Sequence, residues 1–560
     1  MKMVKSLLLG TAAGFVAVAG AQAADMPVKG PAVGYVKICN LYGDGFYYLP
    51  GTDICVKIGG YMRAEYAYLG GSSMTNEQFN GGTATALGGN GVVSNTGSAA
   101  FLNRWDGPDF VMRSRAYMSM DTRQQTEFGI LRTYINIGLV NDTPATAPVV
   151  LNINRAFLQF SGFTVGLAQS FFDFYSVPIS SYWGIIASDT GDGGWKVAAY
   201  TANFGNGVTS TFSFEEPRRI GIINTNAAGN PFTFQLATSN SNDITGAQGA
   251  DTVKIRFPDM VWNLRIDQIW GSAQVMFAAH DASAAYYFSN TAATTINGVP
   301  FSNGGALCPG FVGGGTLVAG GTTGGTILGS QVCGHPADKL GWAAGAGFRL
   351  NVPNTNGSYF QFQYTHTMGA SRYMFQTQSG HFTQMNGGTI GFGWLTDGIV
   401  NNFTGGVDLT RIDGINAAFD WHWTPKFWTS LYGTYARVRY DDQANASICA
   451  IQALSGAGAV TQSAGGITVP IINGAATLNG FNCSNNWSVF QLGTRWQYNL
   501  TPAFYIGFDI LYQKLYTADA GIVTMTAQPA NVAVPGNIPY QVTNQDNLAI
   551  RLRVHRDILP

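Results

Sequence analysis

Apolar and polar residues alternate along many short segments of the chain. In the stretch RAFLQFS, Ala156, Leu158 and Phe160 share one parity, and Arg155 and Gln159 share the other. Such alternation is typical of a β-strand, because successive side chains point to opposite faces. The stretch therefore predicts a strand with one apolar face and one polar face.

Sixteen segments carry this pattern. The last is the clearest, since Leu548, Ile550 and Leu552 alternate with Arg551 and Arg553. Segments of about ten residues with this alternation are the signature of a transmembrane β-barrel. The predicted strands lie at 55–68, 110–121, 127–139, two strands joined at Gly162, 195–203, 208–215, 260–269, 273–279, 339–350, 359–367, 412–423, 427–440, 487–499, 504–516 and 547–555.

The connections between these segments alternate between short and long. Outer-membrane barrels place short turns on one rim and long loops on the other. We therefore expect an all-β fold, a 16-stranded antiparallel transmembrane β-barrel. A soluble β-sandwich, the alternative, would not sort its loops in this way. Short connections fall near 123, 162, 205, 271, 354, 425 and 501, and long ones cover 69–109, 140–151, 171–194, 217–259, 283–338, 368–411, 441–486 and 517–546.

The polar parity of several strands carries arginine. An arginine that faces hydrocarbon at the bilayer midplane costs roughly 2–4 kcal/mol. The apolar parity is therefore expected to face lipid, and the charged parity to face the interior. Sixteen strands leave an aqueous channel there rather than a packed core.

Composition and the N-terminal residues agree with an exported barrel. Charged residues make up 11% of the 560 residues, well below the usual share in soluble domains. Residues 1–23 predict a secretory signal peptide with an Ala-Gln-Ala cleavage site, and an N-terminal membrane anchor is the alternative. The outer-membrane barrel domain would then be residues 24–560. Loss of Lys2 and Lys5 changes the net charge from −1 to −3, which does not suggest a nucleic-acid partner.

Six cysteines fall into three pairs that are local in sequence. An exported chain supports disulfides, and nearest-neighbour pairing is the simplest of the many possible connectivities. The spacings match no zinc pattern, so we expect no metal site. The expected disulfides are Cys39–Cys55, Cys308–Cys333 and Cys449–Cys483.

The alternation stops at Ser170, where the third long loop begins. We expect this loop, residues 171–194, to fold into the channel, with its aromatic side chains on the inner wall and its acids in the lumen. A loop folded over the outer rim is the alternative. The aromatic residues are Phe171, Phe172, Phe174, Tyr175, Tyr182 and Trp183, and the acids are Asp173, Asp189 and Asp192.

Four stretches form a distinctive set: IGGYMRAEY, RAFLQFSGFTVGLAQSFFDFYS, GWKVAAY and the terminal RLRVHRD. Together they resemble the alphaproteobacterial porins, over essentially the whole chain after residue 23. The resemblance implies a homotrimeric, sixteen-stranded, water-filled pore in the outer membrane of a Gram-negative cell, with its third loop folded inward. The chain ends in DILP, whereas many outer-membrane barrels end in phenylalanine.

Seven arginines are expected to line one arc of the channel. Closure of the barrel makes strands sixteen, one, two, three and four neighbours, and the inner parity of these strands carries the arginines. Facing an acidic loop, they would create a transverse field and set the ion preference. They are Arg63, Arg113, Arg115, Arg132, Arg155, Arg551 and Arg553.

These features predict a passive diffusion pore for small hydrophilic solutes and ions, in contact with outer-membrane lipid and without a cofactor. An enzyme is not favoured, because the six histidines are scattered and no convincing site for nucleophilic catalysis appears. The glycine-rich stretch 313–325 lacks the Gly-Lys-Ser/Thr of a phosphate loop. An outer-membrane receptor or adhesin is the alternative, since the loops at 283–338 and 441–486 are long.

Overall fold

The computed structural model of the chain describes most of the predicted strands and part of the loops. The described residues are 38–70, 92–95, 98–101, 110–142, 149–191, 193–224, 256–284, 293–296, 299–302, 335–376, 381–400, 406–446, 448, 484–518, 520–525 and 538–559. The predicted signal peptide, Asp192, Cys308, Cys333, Cys449 and Cys483 lie outside these residues.

Sixteen strands in the described part of the chain form one closed antiparallel barrel, which confirms the predicted fold class. Their bounds lie close to the predicted ones. The strands are β1 Cys55–Tyr68, β2 Phe110–Thr126, β3 Gly129–Asp142, β4 Val150–Phe160, β5 Phe163–Ala168, β6 Trp195–Gly205, β7 Val208–Glu215, β8 Asp259–Gln268, β9 Gly271–Asp281, β10 Leu340–Asn351, β11 Tyr359–Met368, β12 Arg411–His422, β13 Phe427–Arg439, β14 Trp487–Thr501, β15 Phe504–Tyr516 and β16 Gln545–Leu559.

β1 closes the barrel, because it pairs antiparallel with both β2 and β16. In these pairings Arg63 lies opposite Arg115 on one side and opposite His555 on the other. The neighbours β16, β1, β2, β3 and β4 are therefore adjacent, as the sequence predicts. This adjacency brings the predicted basic residues onto one continuous part of the wall.

Tight turns join the strands at one rim. Between β6 and β7 the turn residues Asn206 and Gly207 have φ values of 49° and 74°, as expected for an Asn-Gly hairpin. A Cβ on Gly207 would lie 2.0 Å from the carbonyl oxygen of Asp267, so this position requires glycine. The first turn lies further along the chain than the predicted position near residue 123. β2 continues to Thr126, and its last residues are polar.

The two parities of the strands meet different surroundings. Large apolar side chains such as Met118 and Leu151 are about two-thirds exposed on the outward parity, at 66% and 64%. Charged and polar side chains such as Arg113, Asp121 and Asn263 are buried on the inward parity. The predicted orientation, with apolar residues outside and charged residues inside, is therefore the observed one.

Parts of the long loops pack together at the opposite rim. Phe375, Phe382, Phe392 and Trp394 of the loop after β11 form one apolar cluster with the strand-end residue Trp487. Three short strands, Ile222–Asn224, Gly398–Val400 and Val407–Leu409, form one small sheet. Further short elements are strands Tyr47–Tyr48, Val92–Asn95, Ser98–Phe101, Ala293–Ile296, Val299–Ser302, His381–Asn386, Thr389–Trp394, Gly521–Met525 and Ile538–Val542, helix Val177–Ser180, and 3-10 helices Asn40–Tyr42 and Ser371–Tyr373.

A disulfide joins Cys39 to Cys55 and ties the segment before β1 to the start of that strand. This confirms the first predicted pair. None of the helices in the described residues is long and apolar enough to cross a membrane.

Candidate functional site: the barrel interior

The third-loop segment, residues 170–194 between β5 and β6, forms hydrogen bonds with inward-facing side chains of ten strands. At least one such residue comes from each of β4, β7, β8, β9 and the six consecutive strands β11 to β16. These partners include, one from each strand in that order, Arg155, Glu215, Asn263, Gln274, Gln363, Asn416, Ser430, Gln491, Asp509 and Arg551.

Asp509 of β15 holds the middle of this segment. Its Oδ2 accepts hydrogen bonds from the backbone N–H of Tyr182 at 2.6 Å and from the hydroxyl of Ser181 at 3.1 Å. Its Oδ1 accepts a hydrogen bond from Tyr432. The carbonyl of Tyr182 in turn accepts hydrogen bonds from Arg551 and Arg553. The segment is thus fixed to opposite charges on neighbouring strands.

Most aromatic side chains of the segment are buried against the wall. Phe172, Tyr175 and Trp183 are no more than 2% exposed, and Phe171 and Phe174 are partly buried against an adjoining apolar cluster. Burial raises the pKa of Tyr175, so its hydroxyl stays neutral. The aromatic run is therefore packed rather than exposed to solvent.

Asp173 and Asp189 of the segment have partners within the loops. Asp173 forms an ion pair with Arg218, and its Oδ2 accepts the backbone N–H of Thr190 at 2.6 Å. Asp189 accepts the backbone N–H groups of Val177 at 2.8 Å and Gly191 at 2.7 Å. Both side chains are buried. These contacts stabilise the conformation of the segment.

All seven predicted arginines lie on the inward parity, and three of them pair with wall carboxylates that the prediction omitted. Measured from guanidinium nitrogen to carboxylate oxygen, the pairs are Arg113–Asp142 at 2.6 Å, Arg132–Asp121 at 2.9 Å and Arg553–Glu65 at 2.5 Å. The missed signal was the inner parity of these acids in β1, β2 and β3.

Aromatic rings lie beneath several of these arginines. The guanidinium of Arg63 lies 4.8 Å from the ring centre of Tyr61, and its Nε donates to Nδ1 of His555 at 3.3 Å. Tyr61 also stacks on Tyr117 at 5.2 Å. Such cation–π contacts stabilise the guanidinium groups over the rings. This part of the inner wall therefore combines guanidinium groups with aromatic rings.

This interior belongs to a recognisable class of membrane proteins. A family model described as a porin subfamily matches residues 25–535. The chain belongs to this porin family. Family membership and the apolar outer face place the porin in the outer membrane.

Two curated relatives of the porin come from Brucella. Porin Omp2b of Brucella melitensis biotype 1 is 30% identical over 232 residues, which cover 38% of this chain and 54% of the relative. Porin Omp2a of Brucella ovis is 30% identical over 238 residues, which cover 38% of this chain and 59% of the relative. The chain thus spans little more than half the length of these relatives.

Solved structures with a similar course of the chain include two outer-membrane channels. The channel DcaP of Acinetobacter baumannii is 11% identical, with 91% of this chain and 99% of that chain covered and a TM-score of 0.47. The anion-selective porin from Comamonas acidovorans is 10% identical, with 90% and 100% covered and a TM-score of 0.38.

Proposed function

We propose that the porin is a passive diffusion pore for small hydrophilic solutes and ions across the outer membrane. The observation that carries this proposal is the closed sixteen-stranded barrel with apolar side chains outside and charged side chains inside. A barrel of this strand number leaves an aqueous channel. Membership of the porin family indicates a channel rather than an enzyme.

The third-loop segment narrows this channel in our proposal. Its hydrogen bonds to inward-facing side chains of ten strands support a course inside the barrel, and the open path would then run along the arginine-bearing strands β16 and β1 to β4. Seven arginines on the inward parity of these strands make that proposed path basic. The constriction would lie between this basic wall and the third-loop segment, whose conformation is stabilised by the contacts of Asp173 and Asp189.

We also propose that the pore assembles as a homotrimer, which rests on family resemblance. Detergent-purified protein should then migrate as a heat-resistant oligomer of three chains. Among the described residues, no observation favours the receptor or adhesin alternative.

A liposome swelling assay tests the pore. Vesicles that contain the protein should swell in isotonic solutions of small sugars, and the rate should fall steeply as the sugar becomes larger. Swelling no faster than in protein-free vesicles would refute the diffusion pore.

A further inference from the structure

Arginines are concentrated at one place on the outward parity of the barrel. On β12 and β13 this parity carries the exposed Ile415 and Leu431 and also Arg411, Arg437 and Arg439. Each arginine lies within three residues of the long-loop end of its strand. We call the set of Arg411, Arg437, Arg439, His366 and Asp413 the outer basic patch.

One carboxylate serves several donors in this patch. Asp413 accepts a hydrogen bond from Tyr364 at 2.9 Å and contacts Nδ1 of His366 at 2.7 Å. It also pairs with Arg439, and Nε of Arg411 lies 3.5 Å from it. Its two oxygens are therefore already shared among four groups, and positive charge exceeds negative charge in the patch.

Arg437 has no ionic partner within the part of the chain that the structure describes. It lies opposite Asp413 on β12 and opposite Ser488 on β14, but it forms no hydrogen bond or ion pair with either. Its side chain is exposed on the face that meets lipid. A guanidinium in that position is stable only near the polar boundary of the membrane or beside an anion.

Aromatic side chains place the patch at such a boundary. The rings of Trp342 and His366 lie 5.1 Å apart, and Tyr364 and Tyr435 are exposed on the same parity. Girdles of aromatic residues mark the interfaces of outer-membrane barrels, and the long loops of such barrels are extracellular. The patch therefore lies at the level of the headgroups of the outer leaflet.

We propose that the outer basic patch binds the phosphate group of an anionic lipid in the outer leaflet. A guanidinium donates two parallel hydrogen bonds to phosphate oxygens, which makes arginine well suited to this group. Arg437 supplies donors that have no partner among the described residues, and Arg411 and Arg439 add charge on either side. Ile415 and Leu431, which are 43% and 57% exposed deeper on the same two strands, provide the apolar surface for the acyl chains.

Lipid binding to the purified full-length protein tests the proposal, with native mass spectrometry as the readout. The probe is bisphosphorylated lipid A. Phosphatidylcholine, which has no net charge, is the comparison lipid and should bind more weakly. Arg437→Gln should weaken binding of lipid A at least about tenfold, as for the loss of a charge-assisted hydrogen bond. This variant leaves no buried group without a partner, so folding should be unaffected. Arg556→Gln, which removes an exposed arginine of the same parity at the short-turn rim, should bind lipid A like the wild type.

Three results would overturn the proposal. The first is equal affinity of Arg437→Gln and wild type for lipid A. The second is equally tight binding of inorganic phosphate, which would indicate a site for a free anion. The third is a change of oligomeric state in Arg437→Gln without a change in lipid affinity, which would indicate an interface between copies. A wild-type protein that binds lipid A but does not conduct would refute only the pore.

Discussion

Arg218 and Asp173 form a buried ion pair in which Nη2 and Oδ1 lie 2.9 Å apart and neither side chain is exposed. Asp173 belongs to the third-loop segment, and Arg218 follows β7. The same guanidinium donates to the carbonyl of Ser188 at 3.1 Å and lies 4.5 Å from the ring centre of Tyr373. One side chain therefore joins three loops at the mouth of the barrel.

Arg218→Met should release the third-loop segment. Removal of one partner from a buried pair costs about 3–5 kcal/mol, because the other charge is left uncompensated. Hydrogen exchange should show faster exchange at the amide of Thr190, which donates to Asp173. Lys196→Gln is the control, since Lys196 and Glu216 form a pair in which the lysine is 71% exposed, and exposed pairs contribute little. Equal protection in both variants and wild type would show that the pair does not hold the segment.

Acid should loosen the loops around Asp397. Burial alone would raise the pKa of this carboxyl, but its interactions with His280 and with the backbone N–H groups of Ile220 and Ser371 hold the pKa below its ordinary value. A lowered folded-state pKa means that the stabilisation is complete above the unfolded-state pKa of about 3.9. It is lost as the pH falls from there through the folded-state pKa.

Hydrogen exchange at Ile220 and Ser371 checks this pH dependence. Their amides donate to Asp397 at 2.7 and 2.8 Å, so their protection should fall below about pH 4. In Asp397→Asn this step in protection should be absent. A wild-type profile that is flat down to the acid unfolding of the whole barrel would contradict the assignment.

The arginine-bearing wall should set the ion preference. Arg63→Gln together with Arg132→Gln removes two partly exposed positive charges from the proposed path. The cation-to-anion permeability ratio should rise, because anions lose stabilising charge. The effect should shrink in 1 M salt, where the Debye length is about 3 Å. Reversal potentials in a salt gradient measure the ratio. Arg556→Gln, which lies on the outward parity, should leave the permeability ratio unchanged. An unchanged ratio in the double variant would show that Arg63 and Arg132 do not line the ion path.

The two disulfides outside the described residues remain predictions. Peptide mapping without reduction should find Cys308 linked to Cys333 and Cys449 linked to Cys483, together with the Cys39–Cys55 bond. A peptide that joins Cys333 to Cys449 would contradict local pairing.

The strands were predictable from the sequence because lipid and water impose opposite requirements on successive residues. In β16, Leu552 must face outward if Arg551 and Arg553 face inward, so the pattern determines the parity without any tertiary information. Strand ends such as Thr126 were less predictable. Polar residues occur both in turns and in strands that extend beyond the hydrocarbon region, so the pattern does not distinguish the two.

The partners of the third-loop acids could not be predicted in the same way. Asp173 pairs with Arg218, 45 residues further along the chain, and both residues lie in connections without alternation. No periodic pattern relates two such residues. By contrast, the pairing of Glu65 with Arg553 could have been anticipated, because both lie on the inner parity of strands that closure makes adjacent.

Single-channel recording in a planar bilayer tests the central claim most directly. The purified wild-type protein should insert and produce discrete conductance steps, because a sixteen-stranded barrel with a charged interior leaves an aqueous path. Folding is verified on the same sample by a change in electrophoretic mobility after boiling. Stepwise currents are the predicted result, and the absence of any conductance from folded, inserted protein would contradict the diffusion pore.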